Sequence, residues 1–175
     1  MRCKWLLLGL LAVGFVGCSR QSASPPPAKQ SIISAGEIGS RLPDFTVDDL
    51  RGREISSADL HGKVVLVDFW ATWCQPCKQE MPGYQKLLDR YGSQGLVVVG
   101  LKFDTMTDME DPLKFAKKIG VRYPLAVATD DLKQKFGGIE GLPTTLVYDR
   151  QGILRQKVVG FEYADTFEGY LKPLL

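Results

Sequence analysis

The chain has 175 residues, 45% of them hydrophobic and 24% charged, with a net charge of +2. That is enough for one domain with extensions, and the composition is that of an ordinary globular protein, neither disordered nor fibrous. Removing Arg2 and Lys4 from the 22 basic side chains leaves 20, equal to the acidic count, so nothing points to nucleic acid as a partner.

The first element is a targeting segment. Arg2 and Lys4 precede an apolar stretch from Trp5 to Gly17. A bilayer span needs about 20 apolar residues, so this stretch is short for an anchor and suits a signal peptide over residues 1–17. It ends Phe15-Val16-Gly17-Cys18, which resembles the lipobox of bacterial lipoproteins, with Phe15 where leucine is usual. That resemblance implies cleavage before Cys18 and a lipid on its sulphur, hence an extracytoplasmic, membrane-attached protein. Residues 18–40, rich in Ser, Gln, Ala and Pro, read as a linker stiffened by Pro25-Pro26-Pro27.

The folded domain is expected over 41–175. Phe45-Thr46-Val47 and Glu54-Ile55-Ser56 flank a turn at Arg51-Gly52 and predict a small hairpin. Lys63–Phe69 reads as a buried strand, and Gln75 to Tyr91 as a helix with Met81, Tyr84, Leu87, Leu88 and Tyr91 at helical spacing. Pro76 is tolerated in the first turn of that helix, and Pro82 is expected to kink it. Leu96–Phe103 is a second buried strand, Asp111–Ile119 a helix, Leu125–Ala128 a strand and Asp130–Phe136 a short helix. Thr144–Tyr148 and Ile153–Val159 form a hairpin through Asp149-Arg150-Gln151-Gly152, and Tyr163–Leu171 closes as a helix. Strands alternating with helices and ending in a hairpin predict an α/β fold with a central mixed sheet covered on both faces.

Four cysteines are present. Cys3 lies in the signal and Cys18 at its end, which leaves Cys74 and Cys77, spaced Cys-Gln75-Pro76-Cys, to bridge each other or a partner. The pair follows a buried strand and starts a helix, where unpaired N–H groups and the positive end of the dipole favour a thiolate. Cys74, at the helix start, is the expected exposed nucleophile. Cys77, one turn inward, is the expected resolving thiol. A zinc site needs about four ligands, and two cysteines with the single His61 do not make one; His61, before Gly62-Lys63, reads as a turn residue. Lys114, Lys117 and Lys118 read as a solvated helix face.

Asp68 sits inside the strand before the pair. An ionised carboxylate is costly to bury, so its pKa is expected to rise, which suits it as general base for Cys77. Glu80 lies one helical turn after Cys77. Trp73 is expected as a contact surface for partners and Trp70 as core.

These residues together resemble the thioredoxin superfamily, and most closely its branch of TlpA/ResA-like, membrane-attached thiol-disulfide oxidoreductases. The resemblance is carried by Leu42-Pro43-Asp44-Phe45-Thr46, Leu60-His61-Gly62-Lys63-Val64-Val65-Leu66-Val67, Phe69-Trp70-Ala71-Thr72-Trp73-Cys74, Glu80-Met81-Pro82 and Gly141-Leu142-Pro143-Thr144-Thr145. It implies a thioredoxin-like fold with an N-terminal β-hairpin and a helical insertion near 108–119. It also implies a cis peptide at Leu142-Pro143, placing the Leu142 backbone to pair with a substrate peptide. Thioredoxins carry Asp at the place of Asp68, where many ResA-like proteins have Asn, and a glutamate at the place of Glu80 is implied to tune cysteine acidity. Gln75-Pro76 is implied to influence reduction potential. No cofactor is implied. The implied partners are protein disulfides, apocytochrome c among them, and a membrane thiol donor of the CcdA/DsbD type; a monomer is expected. A peroxidase of the peroxiredoxin kind is the nearest alternative, but Ala71 stands where its Thr or Ser would be. A disulfide oxidant or isomerase would use the same atoms. A copper-binding assembly factor is disfavoured by the short cysteine spacing and the absence of a later histidine.

Overall fold

The computed structural model describes residues 34–103 and 110–175. The signal segment, Cys18 and most of the linker lie outside the described residues, as does 104–109 at the front of the expected insertion. The described elements follow the expected order: β1 (Thr46–Asp48), β2 (Glu54–Ser56), β3 (Val64–Trp70), α1 (Gln75–Tyr91), β4 (Leu96–Phe103), α2 (Pro112–Lys118), β5 (Leu125–Ala128), α3 (Asp130–Lys135), β6 (Thr144–Tyr148), β7 (Leu154–Val159) and α4 (Ala164–Leu171). Short 3-10 turns at Ser57–Leu60, Gly92–Gln94 and Lys172–Leu174 were not legible in the pattern. None of the described helices is long and apolar enough to cross a membrane.

The main sheet runs β5-β4-β3-β6-β7, and β1-β2 form a separate antiparallel pair. β3, β4 and β5 are parallel, and β6 and β7 are antiparallel additions. β3 is central and buried along its whole length. Side chains alternate across a strand, so β3 feeds two cores. Val64, Leu66 and Trp70 pack with Met81, Tyr84 and Leu87 of α1 and with Phe167 and Leu171 of α4. Val65, Val67 and Phe69 face Phe45, Leu132, Phe136 and Leu146. The fold is therefore the thioredoxin-like α/β arrangement expected, with the hairpin in front.

α1 starts and stops as its residues require. Cys74 is its N-cap, Pro76 lies in the first turn, and Arg90 stands in the last turn, where a cation suits the dipole. Pro82 lies inside the helix, which continues through it although the proline offers no N–H to the carbonyl one turn earlier.

Two turns share one device. Asp49 Oδ1 accepts the N–H groups of Arg51 and Arg53, at 2.8 and 2.9 Å, while Oδ2 meets the Arg53 guanidinium. Asp149 Oδ1 accepts the N–H groups of Gln151 and Ile153, both at 2.9 Å, while Oδ2 meets Arg155. A short acidic side chain thus replaces the water that the turn N–H groups would otherwise need.

The linker reading over 18–40 needs correction at its end. Gly39 N–H donates to Leu154 O at 2.9 Å, and Leu154 N–H donates to Ser40 O at 2.8 Å, so this segment is stitched to the start of β7. Gly36, at φ +77°, packs so closely that a Cβ would lie 2.4 Å from Phe136 O. Composition alone read these residues as too polar to pack; the missing glycine side chain is what lets them.

Asp149→Ala removes two buried acceptor contacts and one ion-pair partner. It is expected to lower the free energy of unfolding by about 2 kcal/mol, seen as an earlier urea midpoint with an unchanged slope.

Candidate active site

The reactive pair sits at the carboxyl end of β3, where α1 begins. Cys74 and Cys77 are joined in a disulfide. Cys77 N–H points at Cys74 Sγ, 3.3 Å away. Here Sγ is a disulfide sulphur, and it faces an N–H of the first turn of the helix. The first turn of α1 carries no acidic side chain to compete for the positive end of the dipole. The order of exposure is as expected but its size is not: Cys74 is only 4% exposed and Cys77 fully buried. Both sulphurs belong to the core cluster that also holds Trp70, Met81 and Tyr84, with Leu142 packed against it.

Thr144 lies opposite Phe69 in the β3–β6 register, so Pro143 and Leu142 come level with the residues leading into Cys74. The Leu142–Pro143 peptide is cis. Pro143 O accepts the Gly160 N–H at 2.8 Å, which ties this loop to the end of β7. Trp73 is half exposed beside the pair, whereas Trp70 is buried and stacked on Phe115 of α2, with centroids 5.3 Å apart.

Asp68 lies on the face of β3 that α1 covers, in step with Leu66 and Trp70. It is 1% exposed and neither carboxylate oxygen has a hydrogen bond. Burial raises its pKa well above the usual carboxylate range, and the charge of Glu80 adds to the rise. Glu80 is buried too, although spacing alone allowed a surface position. Its Oε1 accepts the Glu162 N–H at 3.2 Å. Burial lifts Glu80 to about 7, against the pull of the Tyr84 hydroxyl and the Glu162 N–H. Glu80 Oε2 has no hydrogen bond of normal geometry. The Tyr84 hydroxyl is instead engaged with Thr145 Oγ1 at 2.8 Å. A groove of about 290 Å³ opens beside Glu80, between α1 and the loop carrying Phe161 and Tyr163.

Cys74 and Cys77 share one core cluster with Leu142 packed against it, Pro143 follows in the cis peptide, and Asp68 and Glu80 are coupled through charge on the same face of β3. His61 is exposed on the turn before β3, away from the pair, and the three lysines of α2 face solvent. No cluster of metal-ligating side chains is present among the described residues. Sequence reading missed Tyr84, Thr145, Phe161 and Tyr163. The last two are exposed aromatics in contact with each other, 4.9 Å between centroids, and a Phe-x-Tyr pair following a strand is the signal that could have found them. Chemically, the arrangement offers a disulfide at a helix start, one sulphur nearer the surface than the other, and two buried carboxyls whose pKa values burial raises.

Known proteins resemble this chain along most of its length. Residues 38–157 match the AhpC/TSA family. The thiol-disulfide oxidoreductase ResA of Bacillus anthracis is 36% identical over 141 residues, covering 79% of each chain. The thioredoxin-like protein YneN of Bacillus subtilis is 32% identical over 158 residues, covering 90% of each. Among solved structures, a thioredoxin-family thiol:disulfide interchange protein from Chlorobium tepidum superposes with a TM-score of 0.71 at 31% identity, covering 80% of this chain and 99% of that one.

A carboxyl whose folded pKa lies above its unfolded one binds its proton more tightly when folded. The stability that goes with it is full below the unfolded pKa and is lost as pH rises through the folded one. For Glu80 that window runs from 4.5 to about 7. Across it, oxidised wild-type protein is expected to lose roughly 2 kcal/mol relative to Glu80→Gln, measured by urea unfolding at a series of pH values. Identical pH dependence in the two proteins would refute the burial argument.

Proposed function

This chain belongs to the AhpC/TSA family and is a ResA-type thiol-disulfide oxidoreductase, and on that premise we propose that it reduces protein disulfides outside the cytoplasm. The observation that carries the reading is the Cys74–Cys77 disulfide, with Cys74 Sγ facing the Cys77 N–H at the start of α1.

In the reduced enzyme, the Cys74 thiolate attacks one sulphur of a substrate disulfide. That S–S bond breaks, a Cys74–substrate disulfide forms, and the other substrate sulphur leaves as a thiolate. Asp68, as the ionised carboxylate, then takes the proton of the Cys77 thiol and becomes the neutral acid. Cys77 sulphur attacks Cys74 Sγ, the mixed disulfide breaks, and the second substrate sulphur leaves as a thiolate. Two electrons pass from the enzyme dithiol to the substrate, and the enzyme is left in the disulfide form seen here. Glu80, poised near neutral pH, holds charge away from the pair until it ionises. The thiols carry the electrons themselves and need no cofactor.

The half-exposed Trp73 and the Leu142 backbone beside the cis peptide suit an extended polypeptide as substrate. Apocytochrome c is the substrate we favour, with electrons from a membrane thiol donor of the CcdA/DsbD type, and with a monomer tethered by lipid at Cys18. The signal-like residues 1–17 support that location.

Cys77→Ser blocks resolution and is expected to leave substrate proteins joined to Cys74; no capture under conditions where the wild type turns over would overturn the role assignment. Asp68→Asn is expected to slow resolution roughly 10²-fold at pH 7. A rate profile unchanged between about pH 6 and 9 would count against Asp68 as the base. Rapid consumption of hydrogen peroxide would favour a peroxidase instead.

A further inference from the structure

In the β3–β4 register, Asp68 stands opposite Gly100. Both lie on the face covered by α1. Gly100 leaves a notch there: a Cβ would lie 2.5 Å from Leu125 Cδ2, 3.0 Å from Trp70 Nε1 and 3.2 Å from Tyr123 Cε2. The edge of the Tyr123 ring therefore occupies the space beside Asp68 that a side chain at position 100 would fill. The hydroxyl is carried on the ring atom next to that edge. The backbone is pinned from α1, since Gln85 Oε1 accepts the N–H groups of Arg122 and Tyr123 at 2.7 and 3.2 Å.

Several buried polar atoms on this face are unpaired. Both Asp68 oxygens, Trp70 Nε1, Glu80 Oε2 and the Tyr123 hydroxyl are buried without a hydrogen bond. Buried polar groups in native structures are nearly always paired, so an orphaned set in one region asks for a use. On the other side of Asp68, Thr145 is the register partner, and its hydroxyl pairs with that of Tyr84, either one donating. Among the described residues, Tyr123 carries the hydroxyl on this face that has no partner.

We propose that the Tyr123 hydroxyl donates to the Asp68 carboxylate when that carboxyl ionises, which makes Tyr123 a positioning residue for resolution of the mixed disulfide. The inference rests on the reading of Asp68 as the base for Cys77. Tyr123 keeps its own proton throughout; the proton that moves goes from Cys77 Sγ to Asp68. Burial, with the charges of Asp68 and Glu80, holds the Tyr123 hydroxyl well above its ordinary range, so it remains a donor at any working pH. The other ionisable groups on this face are Cys77, Glu80 and Tyr84 of α1, and Lys102 of β4, whose ammonium donates to Phe103 O at 3.1 Å.

The test is the pH profile of resolution, followed by rapid mixing of the Cys74 mixed disulfide. Tyr123→Phe keeps the ring and removes the donor. It is expected to slow resolution about tenfold at pH 7 and to move the midpoint up by about one pH unit. In an Asp68→Asn background it should have no further effect. An equal loss at every pH, or the same loss in the Asp68→Asn background, means a structural role and overturns the proposal. If Asp68→Asn shifts the profile and Tyr123→Phe does not, this inference alone fails. If Asp68→Asn leaves the profile unchanged, the base assignment fails first. The infrared carboxylate bands of ionised Asp68, found at high pH as wild type minus Asp68→Asn, give a readout independent of rate. They should shift in Tyr123→Phe, and unmoved bands overturn the proposal.

Discussion

A carboxyl group with no hydrogen bond, in the middle of a strand buried on both faces, sets the terms for this molecule. Asp68 interrupts Val64–Trp70, the strand against which both cores pack. An ionised carboxylate there costs far more than an apolar side chain of the same size. The fold meets that cost by shifting the balance toward the protonated acid, its pKa raised well above the usual carboxylate range. The strand end, the helix start and the cis peptide all lie at one end of β3. The burial that makes Asp68 expensive is also what makes the second thiol sheltered.

Electrostatics in the site are cooperative in the unfavourable sense. The charge of Glu80 raises the cost of ionising Asp68, and Tyr84 and Tyr123 both feel the two carboxyls. Only Glu80 has a backbone donor and a groove reaching toward solvent. Burial raises both carboxyls above the usual carboxylate range, Glu80 to about 7.

Much of this was legible in the chain itself, because the signals were local. β4, β5, β6 and α1 fall where the apolar runs and helical spacing placed them. Asp111 and Thr129 cap their short helices through their side chains, as residues of that kind do at a helix start. Asp68 stood out because a carboxylate inside an apolar run has few innocent explanations. Tyr84, Thr145 and Tyr123 were not legible as site residues. Each is an ordinary core aromatic or strand residue by pattern, and acquires its role only when β3 lies between β4 and β6. The packing of residues 34–40 was hidden for a related reason: two glycines, Gly36 and Gly137, approach closely, and nothing in either local stretch announces the other.

The bonds between Gly39, Ser40 and Leu154 carry a mechanical meaning. β6 and β7 run antiparallel, and Leu154 starts β7 at the end of the sheet remote from Pro143 and Cys74. The described chain therefore joins its sheet at the antipode of the reactive sulphurs. Strain entering through residues 34–40 is taken up at the β6–β7 turn, a sheet's length away from the disulfide.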